Sequence, residues 1–109
     1  MNKSILITPQ AFLYYKPFIK NKFKRYQFKF VKGPINNKKK LSNYLKSVDA
    51  CIIGSEKIDH KILKDQKKIK AICRFGTNIE NIDVKLCKKK KIKISYLKKN
   101  INAKAVARH

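Results

Sequence analysis

The chain has 109 residues, enough for one core that hides about two thirds of its unfolded surface but too few for two full domains. Hydrophobic residues make up 43%, which excludes a disordered composition. Lys and Arg number 29 against six acids, a formal net charge of +23, so any electrostatic partner is an anion.

Ser4 to Thr8 is a short apolar run closed by Pro9 and predicts a buried strand. Phe12 to Phe23 mixes apolar and basic residues at near-helical spacing, and Pro17 suits a helix start, where its missing N–H is harmless. Tyr26 to Val31 alternates and predicts a second strand, with its lysines suited to a sheet edge. Lys32-Gly33-Pro34 is a turn. Asn36 or Asn37 then caps a helix running to about Lys46, with Leu41, Tyr44 and Leu45 on one face. Val48 to Ile53 reads as a third strand ending at Gly54.

Asp59 caps a helix carrying Ile62 and Leu63, and Ile69 to Cys73 is a fourth strand. A loop from Arg74 to Ile82 follows, with Gly76 in its turn. Asp83 caps a helix with Val84, Leu86 and Cys87, whose end carries the solvated run Lys88 to Lys91. Ile92 to Ser95 is a fifth strand, and Asn102 caps the start of a last helix. Strands and helices that alternate in this way predict a doubly wound parallel five-stranded α/β sheet with helices on both faces.

Two readings of the charge compete. A polyanion partner is the functional one. Coding bias is the other, and it is favoured by a basic set that is nearly all lysine, with only Arg25, Arg74 and Arg108 as arginines, beside abundant Asn and Ile. Proteins that read base edges lean on arginine's planar fork. Tyr14, Tyr15 and Phe18 near Lys16 and Lys20 form the best mixed aromatic and basic cluster, but a helix packed on a sheet explains them equally well. Sequence-blind sticking that vanishes at physiological salt marks charge alone.

Cys51, Cys73 and Cys87 show no metal spacing, and the first two sit inside apolar runs as buried reduced thiols. The run Ile5 to Thr8 is too short for a signal peptide core, and no stretch reaches the length of a membrane span, so the cytoplasm is the expected compartment.

The segment Arg74-Phe75-Gly76-Thr77-Asn78-Ile79-Glu80-Asn81-Ile82-Asp83 resembles the Arg-x-Gly-x-Gly-x-Asp-Asn-Ile-Asp signature of the D-2-hydroxyacid dehydrogenase family, close to its phosphoglycerate dehydrogenase branch. Ile5 to Pro9, Val48 to Ile58 and Asn102 to Ala107 resemble other parts of that family in matching order. The resemblance implies a flavodoxin-like substrate (catalytic) domain over 1–101, with the truncated start of an inter-domain linker helix at 102–109. It implies an oxidoreductase acting with NAD on the CH–OH group of a D-2-hydroxy acid such as 3-phosphoglycerate. The carboxylate of the 2-hydroxy or 2-keto acid would be held by main-chain N–H groups of Thr77 and Asn78, with Gly76 and Ile79 beside them and Ser55 and Lys57 in the preceding loop. Thr77 and Asn102 would approach the cofactor, and Asn81 and Asp83 would cap the next helix. The family's second loop glycine is Asn78 here, its Asp is Glu80, its Thr-Pro-Gly is Leu97-Lys98-Lys99, and the Glu of its linker helix is Arg108.

The only glycines are Gly33, Gly54 and Gly76, so the Gly-x-Gly-x-x-Gly turn that cradles a dinucleotide is missing. The family's catalytic arginine, glutamate and histidine have no counterpart, and the returning C-terminal segment that completes its substrate domain is missing too, leaving an apolar face open. The expected partners are therefore the substrate's carboxylate, a complementing nucleotide-binding half or a second copy in a homodimer, and nonspecific nucleic acid, with no membrane. The alternative function is a basic module that binds nucleic acid or anionic surfaces nonspecifically. Hydride transfer needs nicotinamide, substrate and acid/base held together. The purified chain should therefore show no NADH-coupled turnover on a panel of 2-hydroxy and 2-keto acids, and turnover above blank would refute this.

Overall fold

The computed structural model describes residues 3–76 and 80–98, the last two by backbone alone. Its strands are β1 (Lys3–Ile7), β2 (Tyr26–Phe30), β3 (Ala50–Ile53), β4 (Ala71–Gly76) and β5 (Lys93–Lys98), and its helices are α1 (Lys16–Lys22), α2 (Lys38–Lys46), α3 (His60–Leu63) and α4 (Val84–Lys89). The strands form one sheet in the order β2-β1-β3-β4-β5, and every pairing is parallel. This is the expected doubly wound arrangement. The chain leaves β1 toward one edge and returns to β3 on the other side, so the loops after β1 and β3 diverge at a switch point where a cleft can open.

Local chemistry explains the helix starts. Asn37 accepts the amide of Lys40 at 3.0 Å, Asp59 that of Ile62 at 3.1 Å and Asp83 that of Leu86 at 3.1 Å. Each satisfies an N–H that the first turn leaves unpaired. Helix α1 instead begins with Pro17 in its first turn.

The two sheet faces are covered unequally. Leu6, Cys51, Ile53 and Ile72 point into a core closed by α2, α3 and α4 through Leu41, Leu45, Ile62, Leu63 and Cys87. The alternating set on the opposite face pairs Ile5 with Phe28, Ile7 with both Phe30 and Ile52, and Ile52 with Cys73. Helix α1 and a 3-10 turn at Gln10–Leu13 lie on that second face. Lys16 and Lys20 sit over the Phe30 ring, and Phe12 packs edge-on to Phe75 at 5.2 Å between centroids. Cover is complete at Ile7, while Ile5, Ile52 and Cys73 remain half-buried.

Two expectations are corrected. Strand β4 does not stop at Cys73 and β5 does not stop at Ser95, because their ladder continues through Arg74–Tyr96 and Phe75–Leu97 to Gly76–Lys98. Backbone pairing, not the apolar run, sets where these strands end. Helix α1 starts at Lys16 with Pro17 in its first turn, where the sequence places the helix start, and a 3-10 turn takes up Gln10–Leu13 before it. Cys73 is only half-buried, because the sheet face it occupies is half-covered. Cys51 and Cys87 are buried. Desolvation pushes the Cys51 thiol far up, and desolvation, with the Asp83 carboxylate adding to it, raises Cys87 to about 11.

Thiolate is the reactive form of cysteine. A disulfide reagent at mildly alkaline pH should therefore modify Cys73 first, with Cys51 and Cys87 reacting only as the chain unfolds. Equal labelling rates at the three positions would contradict the unequal cover of the sheet.

Candidate functional site

At the carboxyl edge of the sheet, the segments after β1, β2 and β3 and the end of β4 enclose a cleft of about 450 Å³. Its walls include Thr8, Gly33, Ser55, Glu56, Arg74 and Gly76. Ligands of open parallel sheets bind beyond the carboxyl ends of the strands, so the position is the expected one.

Glu56 organises the walls. It is 1% exposed, and its carboxyl oxygens accept the Ile35 amide at 2.8 Å and the Gly54 amide at 2.9 Å. The first bond reaches across to the segment between β2 and α2, and the second closes the loop of Glu56 itself. Gly33 makes this approach possible. A Cβ there would stand 2.6 Å from Glu56 Oε2 and 2.8 Å from the Thr8 carbonyl oxygen, so only glycine fits without a shift of backbone. Gly33 in turn donates its amide to Thr8 O at 3.0 Å, and Gln10 Nε2 donates to Gly33 O at 3.0 Å. The Thr8 hydroxyl is buried with no hydrogen-bond partner among the described residues.

Asn81 ties the opposite wall. Its Nδ2 donates to the carbonyl oxygens of Glu56 at 2.6 Å and Gly54 at 3.2 Å. Its Oδ1 accepts from Arg74 Nε at 2.9 Å. Arg74 Nη1 also donates to the Phe75 carbonyl. The half-buried guanidinium is therefore held in place at the strand end, facing the cleft. A parallel bridge between Ile58 and Ile82, with Ile58 N–H to Asn81 O at 2.8 Å and Asp83 N–H to Ile58 O at 2.9 Å, locks the two loops together.

Ser55 and Gly76 both come to the cleft. Lys57 does not. It lines the neighbouring groove with Ile35, Lys38 and Leu41, and Ser55 is shared between the two. Gly76 is the last residue of β4 rather than part of a turn, and its missing side chain makes room for the Arg74 guanidinium, onto which a Cβ would fall. Asp83 caps α4 as expected, but Asn81 does not. Thr77, Asn78, Ile79 and Asn102 lie outside the described residues.

Glu56 and Arg74 were not singled out as site residues from the sequence. The available signal for Glu56 was rarity, since an acid among so many lysines has many surface partners to choose from and instead stands beside Gly54-Ser55. Among the described residues no three His, Cys, Asp or Glu side chains gather as a metal site, and no helix is long and apolar enough to cross a membrane.

The sequence profile of the D-isomer specific 2-hydroxyacid dehydrogenase catalytic domain matches residues 5–109. No curated protein sequence is significantly similar to the chain. Among solved structures, the NAD+-bound 3-phosphoglycerate dehydrogenase of Entamoeba histolytica superposes with a TM-score of 0.74 at 25% identity, covering 88% of this chain and 33% of its own. The apo D-lactate dehydrogenase of Escherichia coli gives 0.73 at 19% identity, covering 97% of this chain and 34% of its own. The phosphoglycerate oxidoreductase of Vibrio cholerae O395 gives 0.70 at 17%, covering 88% and 31%. The chain thus spans about a third of the length of these structures. With the parallel sheet in the order β2-β1-β3-β4-β5 and the profile running through the loop after β4, the chain belongs to the D-isomer specific 2-hydroxyacid dehydrogenase family, as a catalytic domain.

Proposed function

We propose that the cleft receives the carboxylate of a D-2-hydroxy acid or its 2-keto counterpart, as the substrate-binding half of an NAD-dependent oxidoreductase acting on the CH–OH group. The observation that carries this is Arg74. Its guanidinium is oriented by Asn81 and the Phe75 carbonyl at the carboxyl end of a central strand, and arginine pairs with carboxylates through a planar fork. Ser55 and Gly76 at the rim, and the amides of Thr77 and Asn78 that follow, are the proposed contacts on the acid. Lys57 and Lys38 line the adjoining groove, an arrangement that supports a substrate with a second anionic group, such as 3-phosphoglycerate. The proposed partner for oxidoreduction is a complementing nucleotide-binding half.

NAD itself does not fit the described residues. A pyrophosphate needs a glycine-rich turn opening onto free N–H groups at a helix start. Here Asn37, Asp59 and Asp83 already occupy those groups, and two of the three caps are acids that repel a phosphate. The chain's own residues are accordingly assigned to binding and orienting the acid, and no hydride step is assigned to them.

Amide NMR of the isolated chain tests this. D-3-phosphoglycerate or D-lactate should move the Gly54, Ser55 and Gly76 resonances. Arg74→Gln should weaken binding about tenfold, in keeping with the loss of a charge-assisted hydrogen bond. Sulfate at equal ionic strength should leave these amides in place. Equal shifts with sulfate, or unchanged binding in Arg74→Gln, would contradict the proposal.

A further inference from the structure

The cluster of rings and lysines near the N-terminus is not absorbed by the cleft, and the structure separates its two explanations. A helix packed on the sheet would hide its rings. Tyr14 is instead 89% exposed, Tyr15 and Phe18 60%, Phe23 45% and Tyr26 43%. Among the described residues six large apolar side chains are exposed in this way, and these five fall between positions 14 and 26. Helix α1 has no buried residue, and only Ile19 is even half-covered. Exposed apolar groups gathered in one stretch mark an interaction surface.

Cations are threaded through the rings. Lys16, Lys20, Lys22, Lys24 and Arg25 share the segment, Lys29 follows it on the edge strand, and no acid precedes Asp49 in the sequence. Lys22 Nζ stands 5.5 Å from the centroid of Phe18. Lys16 and Lys20 stand 5.5 and 5.9 Å from that of Phe30. The ring row continues along the edge strand, where Phe28 is 6.4 Å from Phe23, 6.1 Å from Tyr26 and 6.1 Å from Phe30. Ammonium groups thus stand within about 6 Å of the Phe18 and Phe30 rings, so positive charge and ring faces share one surface.

We propose that this surface binds single-stranded nucleic acid without sequence preference, with bases stacked on Tyr14, Tyr15 and Phe18 and phosphates met by Lys16, Lys20 and Lys22 among and beside them. Stacking platforms set in a positive field bind single strands in this manner, and they need no arginine because they read no base edge. The scarcity of arginine therefore fits this ligand while arguing against a sequence reader. Duplexes offer no unpaired base to stack. A lipid surface fits less well. Interfacial helices separate rings from cations, whereas at about 100° per residue Asn21 and Lys22 flank Phe18 directly, so inserting the ring would drag the ammonium below the headgroups.

Fluorescence anisotropy of the full chain with a labelled oligothymidylate of about 15 nucleotides, near physiological salt, tests the proposal. A duplex of equal length and phosphatidylserine vesicles serve as the other arms. The single strand should bind at least about tenfold tighter than the duplex. The triple variant Tyr14→Ser, Tyr15→Ser, Phe18→Ser should lose about tenfold or more in affinity while keeping the wild-type slope of affinity against salt, because no lysine is removed. Its circular dichroism should be unchanged, since all three side chains face solvent. Tyr14→Phe and Tyr15→Phe together should bind as wild type. Wild-type affinity in the triple serine variant, equal affinity for duplex, or a ring requirement seen with vesicles and not with the single strand would overturn it.

Discussion

The carboxyl group of Glu56 accepts two backbone amides, from Ile35 and Gly54, inside a chain that carries only six acids. Buried N–H groups left without a partner cost about 1–3 kcal/mol each, and both bonds lie where connecting segments must pass over the sheet edge. Other acids do similar work. Asp49 accepts the Ser4 amide at 2.8 Å, and that bond chiefly holds its carboxyl below the ordinary range. Asp59 and Asp83 cap helices. The bond from Lys38, above all, holds Asp59 low. With lysines everywhere on the surface, these carboxyl groups are nonetheless committed largely to the backbone.

That commitment shapes the cleft. Glu56 pulls the segment of Gly33 and Ile35 against the loop of Gly54, and Asn81 reaches over from the loop after β4 to bond Gly54 and Glu56 while holding Arg74. The guanidinium is therefore positioned by backbone-anchored groups. A preset cation at the carboxyl edge of a parallel sheet is what an incoming carboxylate requires. The aromatic and basic surface around α1 starts just beyond the 3-10 turn that begins at Gln10 in the cleft wall, so the two surfaces share a scaffold while using different chemistry.

Much of this was legible in the residues. Apolar or alternating runs announce the five strands, and Asn37, Asp59 and Asp83 stand where caps are needed, because strand burial and capping are local rules. The ends of β4 and β5 were hidden, since Arg74, Phe75 and Gly76 extend by pairing with a partner strand rather than by being apolar. Gly76 looked like a turn residue, and its role, giving room to Arg74, depends on a side chain two positions away. Asn81 looked like a helix cap, yet it bonds residues more than twenty positions distant. The rings of α1 were undecidable, because ring and lysine at helical spacing look alike whether a helix faces the sheet or the solvent.

The clamp by Glu56 is tested most directly by native-state hydrogen exchange. In the wild type the amides of Ile35 and Gly54 should both be protected. In Glu56→Gln one carboxyl oxygen becomes an NH2 group that cannot accept, so at least one of the two amides should exchange about tenfold faster or more, while Leu6 and Ile72 in the central strands keep their protection. Unchanged exchange at both Ile35 and Gly54 in the variant would contradict the account.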